Sequence, residues 1–449
     1  MGYQAFHGTI IYSRGPSHLC IFKDGLLIIN ADGKIENIVQ ATPADEVPTA
    51  LTQLGVPASA SVHIFTRSQF LIPGFIDTHN HAPQWAQRGL GQGMHILNWL
   101  DQITFPNEAR FADPAYARRV YTRCVAGFLR QGVTTASYYG SLHTEATKIL
   151  ADICLAAGQR ALVGKCNMDR NAPAYYRDAS SEASLRDTEA CIAHIRAIDP
   201  AGKLVKHVLT PRFAISCKPA LLEGLGELAR KNPELPIQTH FNEAEQEMRF
   251  TAELFPQFKG SEADLYEHYG LLNERSILAH CCHMNEYEMR RIQQLGCGVA
   301  HCPISNMTVG GGFMAAPVRD FVRRGIKVGL GTDSGGGFSS SMLDAMRQAL
   351  VASNAREVMS QGKDKGLDIA EVFYLATLGG AKVCGLEETT GNFEVGKEFD
   401  ALVIDADVPG VMTMLEDEDS ARTIFDKFIM TGDDRNIKEV YVCGRSVKH

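Results

Sequence analysis

The chain has 449 residues, of which 45% are hydrophobic and 21% are charged, a balance that excludes disordered, fibrous and low-complexity proteins. Its 52 acidic and 44 basic side chains give a net charge of −8, which argues against binding to a nucleic-acid backbone. No apolar run approaches the ~18 residues of a membrane span, and no secretory signal accompanies the twelve scattered cysteines. We therefore expect a cytoplasmic protein with reduced thiols and with neither a nucleic-acid nor a membrane partner.

The first 70 residues are predicted to form short strands joined by turns. Apolar residues cluster at positions 8–12, 25–30 and 34–39, and the Ala-Asp-Gly segment at 31–33 is a hairpin signal. From about residue 71, short apolar runs alternate with longer amphipathic segments, which is typical of parallel βα units. The sequence therefore indicates a change of architecture near this point.

Eight apolar runs can be counted in the second region. They begin near Leu71, Val133, Ala161, Val205, Ile237, Ile277, Gly298 and Ile326. Helical patterns separate the runs: Asp113 followed by Pro114 marks a helix start, and Asn285 followed by Glu288 is typical of a capping box. Eight such repeats predict an α/β fold with a (β/α)8 TIM-type barrel.

Strand patterns return near the C-terminus, at residues 400–404 and 439–442. The simplest arrangement joins them to the N-terminal strands in one small β-sandwich domain beside the barrel. We therefore predict that residues 1–70 and 387–449 form the two parts of this small domain. Residues 71–386 are then predicted to form the metal-dependent barrel.

Reactive side chains follow five of the eight runs. The first run ends in His79 and His81, the fifth in His240, the sixth in His280, the seventh in His301 and the eighth in Asp333. Catalytic groups of such barrels stand at the carboxyl ends of the strands. His79 and His81 are two residues apart, so both point to the same side of a strand and can share one metal ion. The repetition at strand ends predicts a functional cluster.

Three neutral imidazoles and one carboxylate are suited to an open metal site that holds Zn²⁺ or Fe²⁺. The predicted ligands are His79, His81, His240 and Asp333. Such an ion lowers the pKa of its water ligand to about 7. Glu243 lies three residues past a ligand and is a candidate proton shuttle, whereas His280 could orient the attacking hydroxide. These residue types predict metal-assisted hydrolytic attack on an sp² carbon.

The fourth run bears on the number of metal ions. It ends in Thr-Pro-Arg-Phe at residues 210–213, with no lysine at its tip, and Lys203 and Lys206 stand at its opposite end. Binuclear barrels of this plan carry a modified lysine on the fourth strand. The sequence therefore predicts one metal ion per chain.

Four segments in chain order resemble the metal-dependent amidohydrolase superfamily. They are PGFIDTHNH (73–81), QTHFNE (238–243), LAHCC (278–282) and GLGTDS (329–334). Within that superfamily, further segments resemble the guanine deaminase family. They are HAPQ (81–84), WL (99–100) with TFP (104–106), TPRF (210–213), HCP (301–303), GNFEVGK (391–397) and GDDRN (432–436). The resemblance covers about residues 70–445 and includes segments without metal ligands.

The resemblance implies a substrate and further roles. It implies that the purine is held by Gln84, Arg212, Phe213 and Glu243. An amide and a guanidinium can bind the polar edge of a base, and an aromatic ring can stack on its face. Zinc hydroxide, from one Zn²⁺ per chain, would attack C2 of guanine, with Glu243, His280 and Asp333 as the catalytic residues. Glu243 and Asp333 would move the protons, and the products, xanthine and ammonia, belong to purine catabolism. The family also implies a homodimer.

Three positions depart from the family pattern. Asn242 and Pro83 stand where serine is expected, and Ile304 stands where asparagine is common. Two alternatives stay open. The first is a hydrolase of another aminated heterocycle, such as 8-oxoguanine, a triazine or an adenosine derivative. The second is a non-catalytic binding protein on the same barrel, which is disfavoured because every proposed ligand and Glu243 are present.

Other features are assigned structural roles. Cys281 and Cys282 are predicted to be packed thiols, because adjacent residues on a strand face opposite ways. The glycine-rich segments 310–312 and 335–337 lack phosphate-binding spacing and are predicted to be loops near the site. The sequence leaves the roles of two histidines undecided, His283 and His301. His301 either lines the substrate pocket or packs in the core.

Overall fold

The computed structural model describes residues 2–310 and 314–447 of an α/β protein; Gly311 and Gly312 of the first glycine-rich segment therefore lie outside the described residues. The strands are β1 (Gln4–Gly15), β2 (His18–Ile29), β3 (Ile35–Val39), β4 (Ser61–Ile64), β5 (Gln69–Pro73), β6 (Phe75–His81), β7 (Val133–Tyr139), β8 (Arg160–Gly164), β9 (Cys166–Asn167), β10 (Val205–His207), β11 (Thr210–Pro211), β12 (Ile237–Phe241), β13 (Ser276–His280), β14 (Gly298–His301), β15 (Lys327–Leu330), β16 (Ala401–Asp405), β17 (Ile437–Val442) and β18 (Arg445–Ser446). The α-helices are α1 (Val47–Gln53), α2 (Ile96–Trp99), α3 (Phe105–Ala109), α4 (Pro114–Arg130), α5 (Thr144–Ala157), α6 (Ser181–Ile198), α7 (Pro219–Lys231), α8 (Glu245–Leu254), α9 (Glu262–His268), α10 (Glu286–Leu295), α11 (Pro303–Thr308), α12 (Val318–Arg323), α13 (Met342–Met359), α14 (Ile369–Ala376), α15 (Leu378–Val383) and α16 (Ala421–Thr431).

Strands from both termini pair in one eight-stranded sheet of order β18-β17-β16-β5-β1-β2-β3, with β4 beside β1. The contact between the two termini runs through β5 and β16, which are antiparallel. Aromatic rings stabilise this sheet: the ring centroid of Phe6 lies 4.9 Å from that of Phe399 and 5.4 Å from that of Tyr441. Among the described residues, the strands of the two termini form a single sheet. The predicted β-sandwich and the predicted domain boundaries therefore stay predictions.

The apolar run that begins near Leu71 was predicted to be the first barrel strand, and this assignment is wrong for its first half. Leu71 pairs with Val403 in the terminal sheet, and the strand that carries the histidines begins at Phe75 in β6. Gly74 separates the two strands. A Cβ at Gly74 would lie 2.1 Å from the Oγ1 atom of Thr134, so only glycine allows this close approach. The apolar run continues across Gly74, so the pattern of hydrophobic residues could not show where β5 ends and β6 begins.

The remaining strands form parallel sheets in the orders β6-β7-β8-β10 and β12-β13-β14-β15, and β9 pairs with β11. Hydrogen bonds join the two larger sheets at both edges. The backbone N–H of Gln238 donates to the carbonyl oxygen of Leu209 over 2.8 Å, and that of Asp333 donates to His79 over 2.9 Å. The predicted fourth run is interrupted, because β10 ends at His207 and pairing resumes at Thr210. The carboxyl ends of the parallel strands thus meet at one end of the protein.

Helix starts follow the predicted capping signals in part. Asp113 caps α4 by accepting a hydrogen bond from the backbone N–H of Ala115 over 2.9 Å, with Pro114 in the first turn. Asn285 caps α10 by accepting from the backbone N–H of Glu288 over 2.9 Å. The predicted capping box at α10 is nevertheless incomplete, because the Glu288 carboxylate accepts hydrogen bonds from buried groups behind the active site instead.

The described helices include none that is long and apolar enough to cross a membrane. All twelve cysteines lie among the described residues, and each is a buried free thiol. Cys281 and Cys282 belong to this set, in agreement with their predicted packing role.

Candidate active site

The four predicted metal ligands lie together at the carboxyl ends of the parallel strands. His79 and His81 belong to β6, His240 belongs to β12, and Asp333 follows β15. Oδ1 of Asp333 lies 3.2 Å from Nε2 of His79 and 3.5 Å from Nε2 of His81. The Nε2 atoms of His81 and His240 are 3.2 Å apart. All four side chains are buried, so their donor atoms converge in a space closed to bulk water.

The hydrogen bonds around this cluster leave nitrogen lone pairs facing its centre. Nδ1 of His240 lies 2.6 Å from the carbonyl oxygen of Arg212, and only a protonated Nδ1 can bond to that acceptor. Nε2 of His240 therefore carries a lone pair, which faces Nε2 of His81. Nε2 of His79 has no hydrogen-bond partner among the described residues. An imidazole lone pair that faces two further imidazoles and a carboxylate is what a metal ion requires of its ligands, so the residues fit a metal ion.

Burial also selects the protonation states that a metal ion needs. It lowers the pKa of His79 below its ordinary value and that of His81 and His240 well below it. Burial would raise the pKa of Asp333, but the close contact with His79 and the other neighbouring imidazoles hold that pKa well below its ordinary value. Because burial disfavours imidazolium, we describe the cluster as neutral imidazoles with one carboxylate. This set matches an open site for a divalent cation.

Asp77 holds the two metal-binding segments together, and sequence reasoning missed it. Its carboxylate accepts hydrogen bonds from the backbone N–H of Thr332 over 2.9 Å and from the Thr332 hydroxyl over 2.7 Å. It also accepts from the backbone N–H of His79 over 3.3 Å. Burial raises the pKa of Asp77 to about 6. Asp77, two residues before His79 on β6, thus fixes the loop that presents Asp333.

Backbone strain is concentrated at the same strand ends. The φ angles of Asn242, His280 and Asp333 are 44°, 75° and 44°, in the left-handed region that residues other than glycine rarely adopt. Each such residue costs about 1–3 kcal/mol and persists where surrounding contacts determine its conformation. The strain aims the side chains that follow β12, β13 and β15 toward one centre.

Glu243 and His280 form a pair beside the metal ligands. Oε2 of Glu243 lies 3.7 Å from Nε2 of His280. Nδ1 of His280 lies 2.8 Å from Oδ1 of Asn306 and therefore donates to it, so Nε2 is left with a lone pair. Burial, and then the charge of Asp333, raise the pKa of Glu243 well above its ordinary value. A carboxyl with a raised pKa is suited to both taking up and giving a proton, as a proton shuttle requires.

A narrow cavity opens beside the ligand cluster. Its lining residues are His81, Gln84, Ile96, Trp99, Leu100, Arg212, Phe213, His240, Glu243 and Asp333. Gln84, Arg212 and Phe213, which were predicted to bind the substrate, thus line the same cavity as three of the predicted metal ligands. Ile96, Trp99 and Leu100 were not predicted as site residues, although the resemblance included the segment around Trp99.

Polar groups on the cavity wall are tied to a buried carboxylate that sequence reasoning missed. Glu108 on α3 accepts hydrogen bonds from Nη1 and Nη2 of Arg212 over 2.7 and 3.3 Å. It also accepts from Nε2 of Gln84 over 2.7 Å and from the hydroxyl of Tyr176 over 2.5 Å. No local pattern in α3 (FPNEA) marks Glu108 as a buried residue. The pair of opposite charges keeps the Arg212 guanidinium in place without exposing it.

The remaining candidates lie outside this cavity. His301 is buried at the end of β14, and burial lowers its pKa to about 3; neither His301 nor His283 is among the described residues that line the cavity. The three departures from the family pattern do not line it either. Pro83 begins a short helical turn, Ile304 is buried in the core, and Asn242 donates to Glu288.

A group of buried acids lies behind Glu243. Glu262 accepts a hydrogen bond from the backbone N–H of Asn242 over 2.8 Å, and Glu288 accepts from the Asn242 side chain over 2.8 Å. Burial raises the pKa of Glu247 and of Glu288 to about 7. Burial, and then Glu247, raise the pKa of Glu262 well above its ordinary value. These acids hold the strained segment that presents Glu243.

We expect Glu247→Gln to flatten the pH dependence of stability. The pKa of Glu247 is about 7 in the folded protein against an ordinary value of 4.5, so the folded state binds more protons between these limits. The free energy of unfolding therefore falls as the pH rises from about 4.5 to about 7. The variant should gain about 2–3 kcal/mol relative to the wild type between pH 4.5 and pH 8. Urea denaturation at both pH values measures the difference.

The exposed neighbour Glu245 provides the control, because Glu245→Gln should leave the pH profile of the wild type unchanged. An equal decline of stability with pH in Glu247→Gln and in the wild type would contradict the assignment. Both proteins are compared with the same metal content, so that any pH dependence of metal binding cancels.

The site and fold can now be compared with known proteins. Residues 70–447 match the model of the amidohydrolase family. The chain is 42% identical to a probable guanine deaminase of Schizosaccharomyces pombe, over 86% of this chain and 73% of the relative. It is 39% identical to the guanine deaminase of Dictyostelium discoideum, over 99% of this chain and 98% of the relative. A solved guanine deaminase from C. acetobutylicum with guanine in its active site is 32% identical, with a TM-score of 0.87, over 99% of this chain and 100% of that chain.

Proposed function

Since the chain belongs to the amidohydrolase family, we propose that it hydrolyses the C2 amino group of guanine to give xanthine and ammonia. The observation that carries this proposal is the cavity that joins the predicted metal ligands to Gln84, Arg212 and Phe213. The similarity to guanine deaminases over nearly the full length supports the same activity. The enzyme is thus a hydrolase of a C–N bond in a cyclic amidine.

We propose that His79, His81, His240 and Asp333 hold one Zn²⁺, with Fe²⁺ as the alternative ion. The close approach of the Nε2 atoms of His81 and His240, with Asp333 beside them, supports a cation at this point. When bound, such an ion supplies Lewis acidity that activates water near neutral pH. A single ion is favoured because the fourth run ends in Thr-Pro-Arg-Phe at residues 210–213, with no lysine at its tip.

Purine binding is assigned to the side of the cavity away from the ligands. Phe213 stacks on the face of the base, and its ring centroid lies 5.9 Å from that of His240. Arg212 donates hydrogen bonds to the carbonyl edge, and Gln84 accepts from a ring N–H. The apolar side chains of Trp99 and Leu100 exclude water from the other wall. This orientation directs C2 toward the ligand cluster.

Proton transfer is assigned to Glu243, with His280 and Asp333 beside it. Glu243 gives its proton to a ring nitrogen of the base during attack and regains a proton from the new C2 hydroxyl as the C–N bond breaks. His280 orients the attacking water through its free Nε2, which faces Glu243 over 3.7 Å. Asp333 accepts the proton released from that water and passes it to the amine, which leaves as ammonia. General acid–base catalysis of this kind contributes about 10²–10⁴-fold to the rate.

We also propose the complete fold, the cellular location and the oligomeric state. The two parallel sheets and their hydrogen-bonded edges support a closed (β/α)8 barrel, and the terminal sheet supports a small β-sandwich beside it. We place the enzyme in the cytoplasm, as a homodimer that acts in purine catabolism. Its partner is guanine, and no role with nucleic acid or membranes is proposed.

Metal analysis combined with ammonia release from guanine tests the proposal. We expect about one metal ion per chain, and we expect activity to be lost on treatment with a chelator and restored by Zn²⁺. Adenosine, 8-oxoguanine and a triazine serve as comparison substrates. A clear preference for one of these would assign the chain to another heterocycle. A folded protein that binds no metal and releases no ammonia would instead support the non-catalytic alternative.

A further inference from the structure

Glu108 contacts two of the residues that line the cavity without lining it itself. Its side chain is fully buried. Four hydrogen bonds reach its two oxygens, two from Arg212, one from Gln84 and one from Tyr176. Arg212 and Glu108 form an ion pair in which both side chains are almost completely buried. Glu108 therefore determines how these neighbours can orient.

A carboxylate only accepts hydrogen bonds when it is ionised, whereas an amide has a donor end and an acceptor end. Because Nε2 of Gln84 donates to Glu108 over 2.7 Å, the amide end that Glu108 does not engage is the acceptor Oε1. Oε1 of Gln84 is buried and has no hydrogen-bond partner among the described residues. Gln84 lines the cavity, so its unpaired acceptor, which lies beside Gly335, belongs to the cavity wall.

Arg212 presents the opposite polarity, because a guanidinium only donates. Two of its nitrogens donate to Glu108, and its remaining N–H groups belong to a side chain that lines the cavity. The wall therefore combines a donor at Arg212 with an acceptor at Gln84. This pattern is complementary to a carbonyl oxygen beside a ring N–H. An exocyclic amine beside an unprotonated ring nitrogen has the reverse pattern and leaves both wall groups unpaired, which costs binding energy.

We propose that Glu108 is a positioning residue that fixes the hydrogen-bond polarity of the cavity wall and thereby selects 6-oxopurines over 6-aminopurines. The inference rests on the proposed function, because it assumes that a purine base occupies the cavity. Glu108 acts through Gln84 and Arg212 and does not contact the base.

Hypoxanthine and adenine test this selection directly, because both lack the C2 amino group and bind without reacting. Calorimetry on the metal-loaded protein gives the ratio of the dissociation constant of adenine to that of hypoxanthine. We expect the wild type to favour hypoxanthine. Glu108→Gln should lower the ratio by about tenfold, because an amide at position 108 can also donate and therefore allows the Gln84 amide to flip, which exchanges its donor and acceptor ends. A ratio within twofold of the wild type in a folded Glu108→Gln variant overturns the inference.

Tyr176→Phe is the matched control, because it removes one hydrogen bond from the same carboxylate and leaves the contact with Gln84 in place. We expect its ratio to stay within about twofold of the wild type, and a tenfold loss there would assign the selection to general packing instead. If Glu108→Gln does not fold, Gln84→Met replaces it, since this variant keeps the ion pair and removes the oriented acceptor. An unchanged ratio in Gln84→Met also overturns the inference.

The two levels of inference fail in different ways. A wild-type protein that binds hypoxanthine but releases no ammonia from guanine contradicts the proposed function, while the binding ratios still test the role of Glu108. A wild-type protein that turns over guanine and binds both bases equally contradicts the selection alone.

Discussion

Glu243→Gln lowers the turnover number for guanine by about 10³-fold and leaves one metal ion bound per chain, if Glu243 moves the protons. Glutamine has nearly the same shape as glutamate but cannot gain and lose a proton in this pH range, so the variant loses general acid–base catalysis, which is worth about 10²–10⁴-fold. The proposed ligands His79, His81, His240 and Asp333 are untouched. Steady-state ammonia release and metal analysis on the same preparation measure both quantities.

The control is Glu245→Gln, which removes a carboxylate two residues further along the chain at an exposed position. We expect wild-type turnover and metal content in that variant. A near-normal rate in Glu243→Gln would refute the proton-shuttle role. Loss of the metal ion along with activity would place Glu243 among the ligands instead.

Most of the ligand set could be predicted because it depends on local rules. Two histidines two residues apart share one side of a strand, and strand ends of a parallel α/β protein meet at one edge. The structure brings His79, His81, His240 and Asp333 together at that edge. The repeating rhythm of apolar runs likewise indicated the parallel strands, although it placed the first of them a few residues too early.

The remainder of the site depends on contacts between segments that are distant in sequence. Glu108 accepts from Arg212 across a separation of 104 residues, and Asp77 accepts from Thr332 across 255 residues. Neither pairing leaves a periodic signal. Glu288 had the spacing of a capping residue, which is normally exposed to solvent. Its burial beside Asn242 follows from how α9 and α10 pack behind β12, and a single sequence does not show this packing.

Arg212→Met is expected to have the largest effect on stability, because it leaves the Glu108 carboxylate buried without its cation. Both side chains of the pair are almost fully buried, with Nη1 and Oε2 separated by 2.7 Å. Breaking a buried ion pair from one side costs about 3–5 kcal/mol. The variant should also lose about 10- to 100-fold in kcat/KM for guanine, mainly through KM, since hydrogen bonds from a charged donor are lost. Urea denaturation and steady-state kinetics measure the two effects separately.

The double variant Arg212→Met with Glu108→Gln separates stability from binding. It removes both charges, so most of the lost stability should return while KM stays high. Arg160→Met is the matched control, because Arg160 is a second buried arginine, paired with Glu398 and Asp400 away from the cavity. It should lose comparable stability and keep the kinetic constants of the wild type. A loss below about 1 kcal/mol in Arg212→Met would show that Glu108 is not held by this charge. An unchanged KM would remove Arg212 from the substrate-binding wall.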